Sequence, residues 1–93
     1  MSEIELETLG NKDLIIDIRS KYLYNLNHIP NAQNIPYYSI LSNHSIYLDK
    51  SNTYYLYCDS GIQSKEVSDR LNLLGYKTFS IKGGYLSFKK KHI

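Results

Sequence analysis

Short apolar runs rich in β-branched and aromatic residues alternate with helical patterns along the chain, and this alternation constrains the fold more than any other feature. The runs that predict strands are 14–18 (LIIDI), 53–57 (TYYLY) and 77–81 (KTFSI). A strand that is apolar on both faces is typical of a parallel sheet with helices on either side. The alternation therefore predicts the α/β class with a largely parallel sheet.

Helical patterns and turns fill the intervals between these strands. The predicted helices are 20–27, a single turn at 37–41, 64–74 and 85–91, and the prolines of 28–36 predict a turn into a short extended piece. The helix over 64–74 has the clearest pattern, because Val67, Leu71 and Leu74 recur at helical spacing. We expect Ser64 to cap its N-terminus and Gly75 to end it.

Length and charge limit the class of protein and its partners. A chain of 93 residues is expected to form one domain over 1–93, with a monomer as the default state. Its net charge of +2 is too small to indicate a nucleic-acid partner. The acidic start differs from a signal peptide, and no apolar run approaches the ~20 residues of a membrane span. We expect a cytoplasmic protein with no membrane segment.

Cysteine and histidine are too few or too scattered for a metal centre. Cys58 is the sole cysteine, which excludes an internal disulfide and a multi-cysteine metal site. His28, His44 and His92 are far apart and have no ligand spacing. We therefore expect no metal, no cofactor and a thiol that stays reduced.

Cys58 lies where chemistry is expected in such a fold. It follows the strand over 53–57 and precedes the predicted helix, and ligands of α/β sheets bind beyond the carboxyl ends of strands. A loop that leads into a helix N-terminus turns backbone N–H groups inward, and these stabilise a thiolate, the nucleophilic form of cysteine. Cys58 is therefore a candidate nucleophile, although a lone cysteine is more often an inert core residue.

Four segments together resemble the rhodanese-like sulfurtransferases. They are 14–19 (LIIDIR), 28–36 (HIPNAQNIP), 57–64 (YCDSGIQS) and 81–85 (IKGGY), in the order and at the spacing of the family. The resemblance implies a three-layer α/β domain with a central, mainly parallel sheet of about five strands flanked by helices. It also implies an active-site cysteine that carries sulfur as a persulfide between a donor and an acceptor.

The family's motifs fall on particular positions of this chain. Cys58 takes the place of the persulfide-forming cysteine, and Ser64 opens the following helix. The active-site loop, whose amides would bind the persulfide, consists of Asp59, Ser60, Gly61, Ile62 and Gln63. Asp17 and Arg19 match the Asp-x-Arg motif at the end of the first core strand, and we interpret them as a structural ion pair. His28 matches the His-Ile-Pro turn, and we interpret it as a structural residue that bonds backbone.

Two departures from related motifs bear on the substrate. Family loops often read Cys-Arg-x-Gly-x-Arg, whereas this chain has Asp59 and Gln63 at the arginine positions. The loss of two positive charges and the gain of a negative one should weaken binding of thiosulfate. Phosphatases and arsenate reductases of related fold look like Cys-x5-Arg, but here the sixth residue after Cys58 is Ser64, which disfavours phosphoryl transfer.

Two functions stay open from the sequence. The favoured one is a sulfurtransferase that takes sulfur from thiosulfate, a small persulfide or a protein persulfide and passes it from Cys58 to a thiol or cyanide. The alternative is a catalytically weak binding or sulfur-relay module that acts only with a partner, such as a thioredoxin-like protein. Asp59 and Gln63 favour the alternative, and the presence of Cys58 argues against it.

Overall fold

A five-stranded parallel sheet forms the middle layer of the structure, a computed structural model that describes residues 3–91 and so leaves His92 outside. The strands are β1 (Glu3–Ile4), β2 (Leu14–Asp17), β3 (Gln33–Asn34), β4 (Thr53–Tyr57) and β5 (Lys77–Ile81). Their order across the sheet is β1-β5-β4-β2-β3, and each neighbouring pair is parallel. The expected α/β class and the parallel sheet of about five strands are confirmed.

Helices cover both faces of the sheet. They are α1 (Lys21–Leu26), α2 (Tyr37–Ser42), α3 (His44–Tyr47), α4 (Ile62–Leu73) and α5 (Gly84–Lys91), and a 3₁₀ turn spans Leu6–Thr8. The Ser20 side chain caps α1 by accepting the N–H of Leu23. Within residues 3–91, none of these helices is long and apolar enough to cross a membrane.

Two apolar clusters, one on each face, enclose the sheet. One cluster includes Ile16, Leu56, Cys58, Val67 and Leu71 and lies beneath α2 and α4. The other is built from Ile15, Ile29, Ala32, Tyr57, Ile81 and Tyr85 and lies beneath the N-terminal segment, α1 and α5. Neighbouring residues of β4 point to opposite faces, so Leu56 and Tyr57 belong to different clusters.

The register of the central strands brings the functional sequence segments together. Asp17 at the end of β2 is level with Tyr57 at the end of β4, and the ladder continues with the N–H of Ile18 donating to the Tyr57 carbonyl at 2.9 Å. The residues that follow these two strands are therefore neighbours in space. This places Arg19 within reach of Asp59, the residue after Cys58, although 40 positions separate Arg19 from Asp59 in the sequence.

The helix predicted over 64–74 differs from α4 at its start. The helix begins at Ile62, so the assignment of Ser64 as its N-cap is wrong; Gly61 is the N-cap, without a side-chain cap. The expected stop at Gly75 is confirmed by its φ of +99° directly after Leu74. Leu74 is half exposed rather than part of the apolar face, because the helix has already ended there, whereas Leu71 is buried.

Candidate active site

The sulfur of Cys58 is surrounded by hydrogen-bonding groups of the loop that follows β4. The backbone N–H of Gly61 donates to Cys58 Sγ at 3.1 Å, and that of Ser64 donates at 3.3 Å. The thiol lies 3.5 Å from Ser64 Oγ, to which it can donate. Cys58 is only 4% exposed, so the sulfur lies at the bottom of the loop and not on the surface.

Two glycines allow the loop to close around the sulfur. Gly61 has a φ of +97°, a conformation that side chains with a Cβ rarely adopt, and it turns its N–H toward Cys58. Gly84 lies so close to the loop that a Cβ there would collide with the Cys58 carbonyl oxygen. This proximity lets the first N–H groups of α5 fix the loop, since Tyr85 donates to the Cys58 carbonyl at 2.8 Å and Leu86 donates to that of Asp59 at 2.9 Å.

Ser64 is fixed from the opposite side by β5. Its hydroxyl lies 2.7 Å from Ser80 Oγ and 3.3 Å from the Gly61 carbonyl, and both serines are fully buried. Instead of capping α4, the Ser64 side chain links the helix to the sheet and places its N–H beneath the sulfur. Ser80 was not a candidate from the sequence, because nothing in the pattern of β5 distinguishes it from other small strand residues.

A charged network lies on the other side of Cys58, at the end of β2. The Arg19 guanidinium donates to both carboxylate oxygens of Asp17 at 2.8–3.1 Å and to the Asn27 carbonyl at 2.7 Å. This is the ion pair expected from the Asp-x-Arg motif. The Tyr57 hydroxyl donates to Asp17 at 2.8 Å and accepts the N–H of Ile29. Burial raises the pKa of Tyr57, so the phenol stays protonated and remains a donor.

Arg19 also reaches the active-site loop. Its Nη1 lies 3.5 Å from Asp59 Oδ1, and its guanidinium lies over the Tyr85 ring, 4.2 Å from the centroid. Burial disfavours the charge of Arg19, but the hydrogen bonds and charge of Asp17, with a smaller contribution from Asp59, outweigh it and raise the pKa of Arg19. The guanidinium is therefore a permanent cation with a carboxylate on each side.

A pocket of about 400 Å³ opens above Cys58. Its lining comprises Ile18, Arg19, Ser20, Leu23, Pro36, Tyr37, Tyr38, Cys58, Asp59, Ser60, Ile62 and Gln63. Four residues of the predicted loop are therefore in the wall, while Gly61 and Ser64 contribute N–H groups to the sulfur from behind it. The Ser60 hydroxyl accepts the N–H of Ile62 and makes no bond to the sulfur.

One wall of this pocket has no motif in the sequence, and His28, expected as a structural residue near the site, lies outside the lining. Leu23, Pro36, Tyr37 and Tyr38 come from α1 and from the start of α2, and no motif marks them. His28 is not in the lining; its Nδ1 lies 2.9 Å from the Tyr24 carbonyl and its ring stacks on that of Tyr24. In the described part of the chain, no group of three or more metal-ligating side chains is present.

The fold, the cysteine at the carboxyl end of β4 and the amides around its sulfur define a class of protein. The model of the Rhodanese-like domain family matches residues 3–91, and the chain belongs to this family. A solved structure from Staphylococcus saprophyticus subsp. saprophyticus is 30% identical, with a TM-score of 0.81 over 90% of this chain and 89% of that one. A rhodanese-like domain protein from Staphylococcus aureus is 28% identical, with a TM-score of 0.80 over 90% and 87% of the two chains.

Two curated relatives are much longer proteins. A tRNA sulfurtransferase from Thermoplasma acidophilum is 39% identical over 71 residues, which are 72% of this chain and 14% of the relative. A tRNA uridine(34) hydroxylase from Aster yellows witches'-broom phytoplasma is 33% identical over 92 residues, which are 91% of this chain and 30% of the relative. The family and these relatives support a sulfur-related enzyme at the level of the family.

Proposed function

We propose that the chain is a sulfurtransferase that carries sulfane sulfur as a persulfide on Cys58. The observation that carries this proposal is the position of Cys58 Sγ, which accepts the N–H groups of Gly61 and Ser64 beneath an open pocket. Fixed amide donors stabilise a thiolate, and they also stabilise a persulfide anion, because both place negative charge on sulfur. The same loop therefore suits the resting and the sulfur-loaded forms.

The proposed reaction has two displacement steps on sulfur. In the first, the Cys58 thiolate attacks the outer sulfur of a donor, the sulfur–sulfur bond of the donor breaks, and the leaving thiolate or sulfite takes the electron pair. In the second, a thiolate or cyanide attacks the outer sulfur of the Cys58 persulfide and restores the Cys58 thiolate. Neither step needs an external oxidant, a reductant, a metal or an organic cofactor, since sulfur is only exchanged between partners.

The partners of this reaction follow from the site and the relatives. We propose a small or protein-bound persulfide as donor and a thiol, cyanide or a thioredoxin-like or relay protein as acceptor. We also propose that the chain works in the cytoplasm as one domain and as a monomer. The two curated relatives refer to tRNA in their names, but the net charge of +2 favours transfer of sulfur to a protein or thiol over binding of RNA.

A second candidate is a sulfur-relay module that turns over only with a partner protein. The half-exposed Asp59 favours it, because a carboxylate at the pocket hinders anionic small donors. The chain spans only 14% and 30% of the lengths of the two curated relatives it matches.

Intact mass spectrometry after incubation with a donor tests the proposal. The protein is incubated separately with thiosulfate and with cysteamine persulfide, and Cys58→Ser is treated in parallel. We expect a gain of one sulfur atom in the wild type, its loss on reduction, and no gain in Cys58→Ser. No gain with either donor would contradict the proposal. Turnover with excess donor and added cyanide then separates the two candidates, because a free-standing enzyme forms thiocyanate repeatedly on its own, whereas a module that needs a partner protein forms none above the rate of Cys58→Ser.

A further inference from the structure

The charge balance of the pocket above Cys58 is set by one cation and two carboxylates. Arg19 is the only basic side chain in the pocket lining formed by residues 3–91. Its Nε and Nη2 are occupied by Asp17 and by the Asn27 carbonyl, behind the pocket. The remaining nitrogen, Nη1, is the one that lies 3.5 Å from the Asp59 carboxylate.

Asp59 occupies the place that an anionic donor would need. The Asp59 side chain is 52% exposed and lines the pocket, whereas Asp17 is fully buried and does not. A dianion that approached Cys58 would have to displace the Asp59 carboxylate from Arg19 or accept a like charge beside it. Since Arg19, Asp17 and Asp59 together carry a net charge of −1, the repulsion is not compensated within the cluster.

The rest of the pocket suits an uncharged carrier. Leu23, Pro36, Tyr38 and Ile62 line it, and Tyr38 and Ile62 are 80% and 77% exposed, which leaves apolar surface available at the mouth. Such surface binds the carbon chain of a thiol carrier by the hydrophobic effect, and thiosulfate has no apolar part to offer.

We propose that Asp59, held against Arg19, makes the site selective for a persulfide on an uncharged or cationic carrier and rejects the thiosulfate dianion. Asp59 is thus a specificity-determining residue. This inference rests on the proposed function, because it concerns which donor loads Cys58. In the favoured reaction the Cys58 thiolate takes the outer sulfur of R–S–SH, the S–S bond breaks, and R–S⁻ leaves with the electron pair.

The experiment compares two donors in three proteins. The donors are thiosulfate and cysteamine persulfide, whose ammonium group leaves it without net negative charge. The proteins are the wild type, Asp59→Asn and Asp69→Asn. Asp69 is a matched control, since its side chain is also 52% exposed and pairs with Lys65 on α4, and it does not line the pocket. The second-order rate constant of Cys58 sulfur loading is measured by mass spectrometry, and the ratio of thiosulfate to cysteamine persulfide is compared between proteins.

We expect Asp59→Asn to raise this ratio by about tenfold, the size of effect expected for removal of one like charge near a half-exposed site. Asp69→Asn is expected to leave the ratio at the wild-type value. An unchanged ratio in Asp59→Asn would overturn the inference. An equal rise of the ratio in Asp69→Asn would also overturn it, because the effect would then come from the net charge of the protein and not from the position of Asp59. If the wild type gains no sulfur from either donor, the proposed function fails and this inference fails with it. Loading from both donors with an unchanged ratio refutes the inference alone.

Discussion

Two buried polar linkages flank Cys58, and they hold the site in different ways. On the β2 side, the charged network of Asp17, Arg19 and Tyr57 joins two strand ends through an ion pair and a phenol. On the β5 side, the hydroxyl pairs Ser64–Ser80 and Ser68–Thr78 join α4 to the sheet, each at 2.7 Å. Both linkages are buried: Asp17, Ser64, Ser68 and Ser80 are fully buried, and Thr78 is nearly so. Only the charged network, however, places ionised side chains in the interior.

The two linkages differ in how much free energy of unfolding is lost when one partner is removed. A buried charge without its partner costs several kcal/mol, about 3–5, whereas a buried hydroxyl that loses one of several partners costs about 1 kcal/mol. The linkages also reach the site at different points. The charged network reaches Asp59 in the pocket wall, and the Ser64–Ser80 pair includes Ser64, whose N–H donates to the sulfur.

The largest effect on stability is expected from Asp17→Asn. The change keeps the shape of the side chain but leaves the Arg19 cation, whose side chain is 5% exposed, without its buried counter-charge. We expect a loss of about 3–5 kcal/mol in the free energy of unfolding, measured by urea denaturation. A loss below about 1 kcal/mol would mean that the network resembles the hydroxyl pairs in energy, and the comparison would fail.

Tyr57→Phe tests the uncharged member of the same network. The change removes the hydroxyl that donates to Asp17 and accepts from Ile29, and so leaves a buried N–H without this partner. We expect a loss of about 1–3 kcal/mol in the free energy of unfolding. Tyr38→Phe, at a side chain that is 80% exposed, is the matched control and should change stability by less than about 0.5 kcal/mol. Equal effects of the two substitutions would contradict the assignment of the Tyr57 hydroxyl to the network.

Ser80→Ala tests the neutral linkage. Ser64 Oγ loses one partner but keeps the Gly61 carbonyl, so the buried hydroxyl is not left unpaired. We expect a loss of about 0.5–1.5 kcal/mol in urea denaturation, clearly below that of Asp17→Asn. A loss as large as that of Asp17→Asn would show that charge is not what distinguishes the two linkages.

Lys65→Ala sets the baseline for an exposed ion pair. Lys65 and Asp69 are 3.5 Å apart on α4, and both side chains are about half exposed. We expect a change of less than about 0.5 kcal/mol in the free energy of unfolding, because water screens such pairs. A larger loss would indicate that α4 is held by its surface charges as well as by the hydroxyl pairs.

The parts of the fold and of the site that could be predicted are those that depend on local sequence patterns. The alternation of strands and helices and the segment from Tyr57 to Ser64 are local patterns, so they indicated the sheet and the position of Cys58. The two-residue strand β1 and the short helix α3 carry too few residues for a periodic pattern. The extra turn of α4 was missed because Ser64 is a good N-cap by type, and its actual partner, Ser80, lies 16 positions away.

The contacts that set the charge and the position of groups around Cys58 join residues that are distant in the sequence. Arg19 and Asp59 are 40 positions apart, as are Tyr57 and Asp17. Asp59 was recognised as a departure from the family's loop, but its contact with Arg19 depends on the register of β2 and β4, which no local pattern specifies. The pocket wall formed by Tyr37 and Tyr38 likewise depends on how α2 packs.

The most direct measurement of the sulfur-carrier claim is a ¹H–¹⁵N spectrum of the protein before and after loading with cysteamine persulfide. We expect the amide resonances of Gly61 and Ser64, which donate to the sulfur, to shift on loading, and we expect those of Ser68 and Leu71, farther along α4, to stay in place. Reduction should restore the original spectrum. A protein shown by mass to hold the extra sulfur, but with the Gly61 and Ser64 amides unmoved, would contradict the claim that these amides bind the persulfide of Cys58.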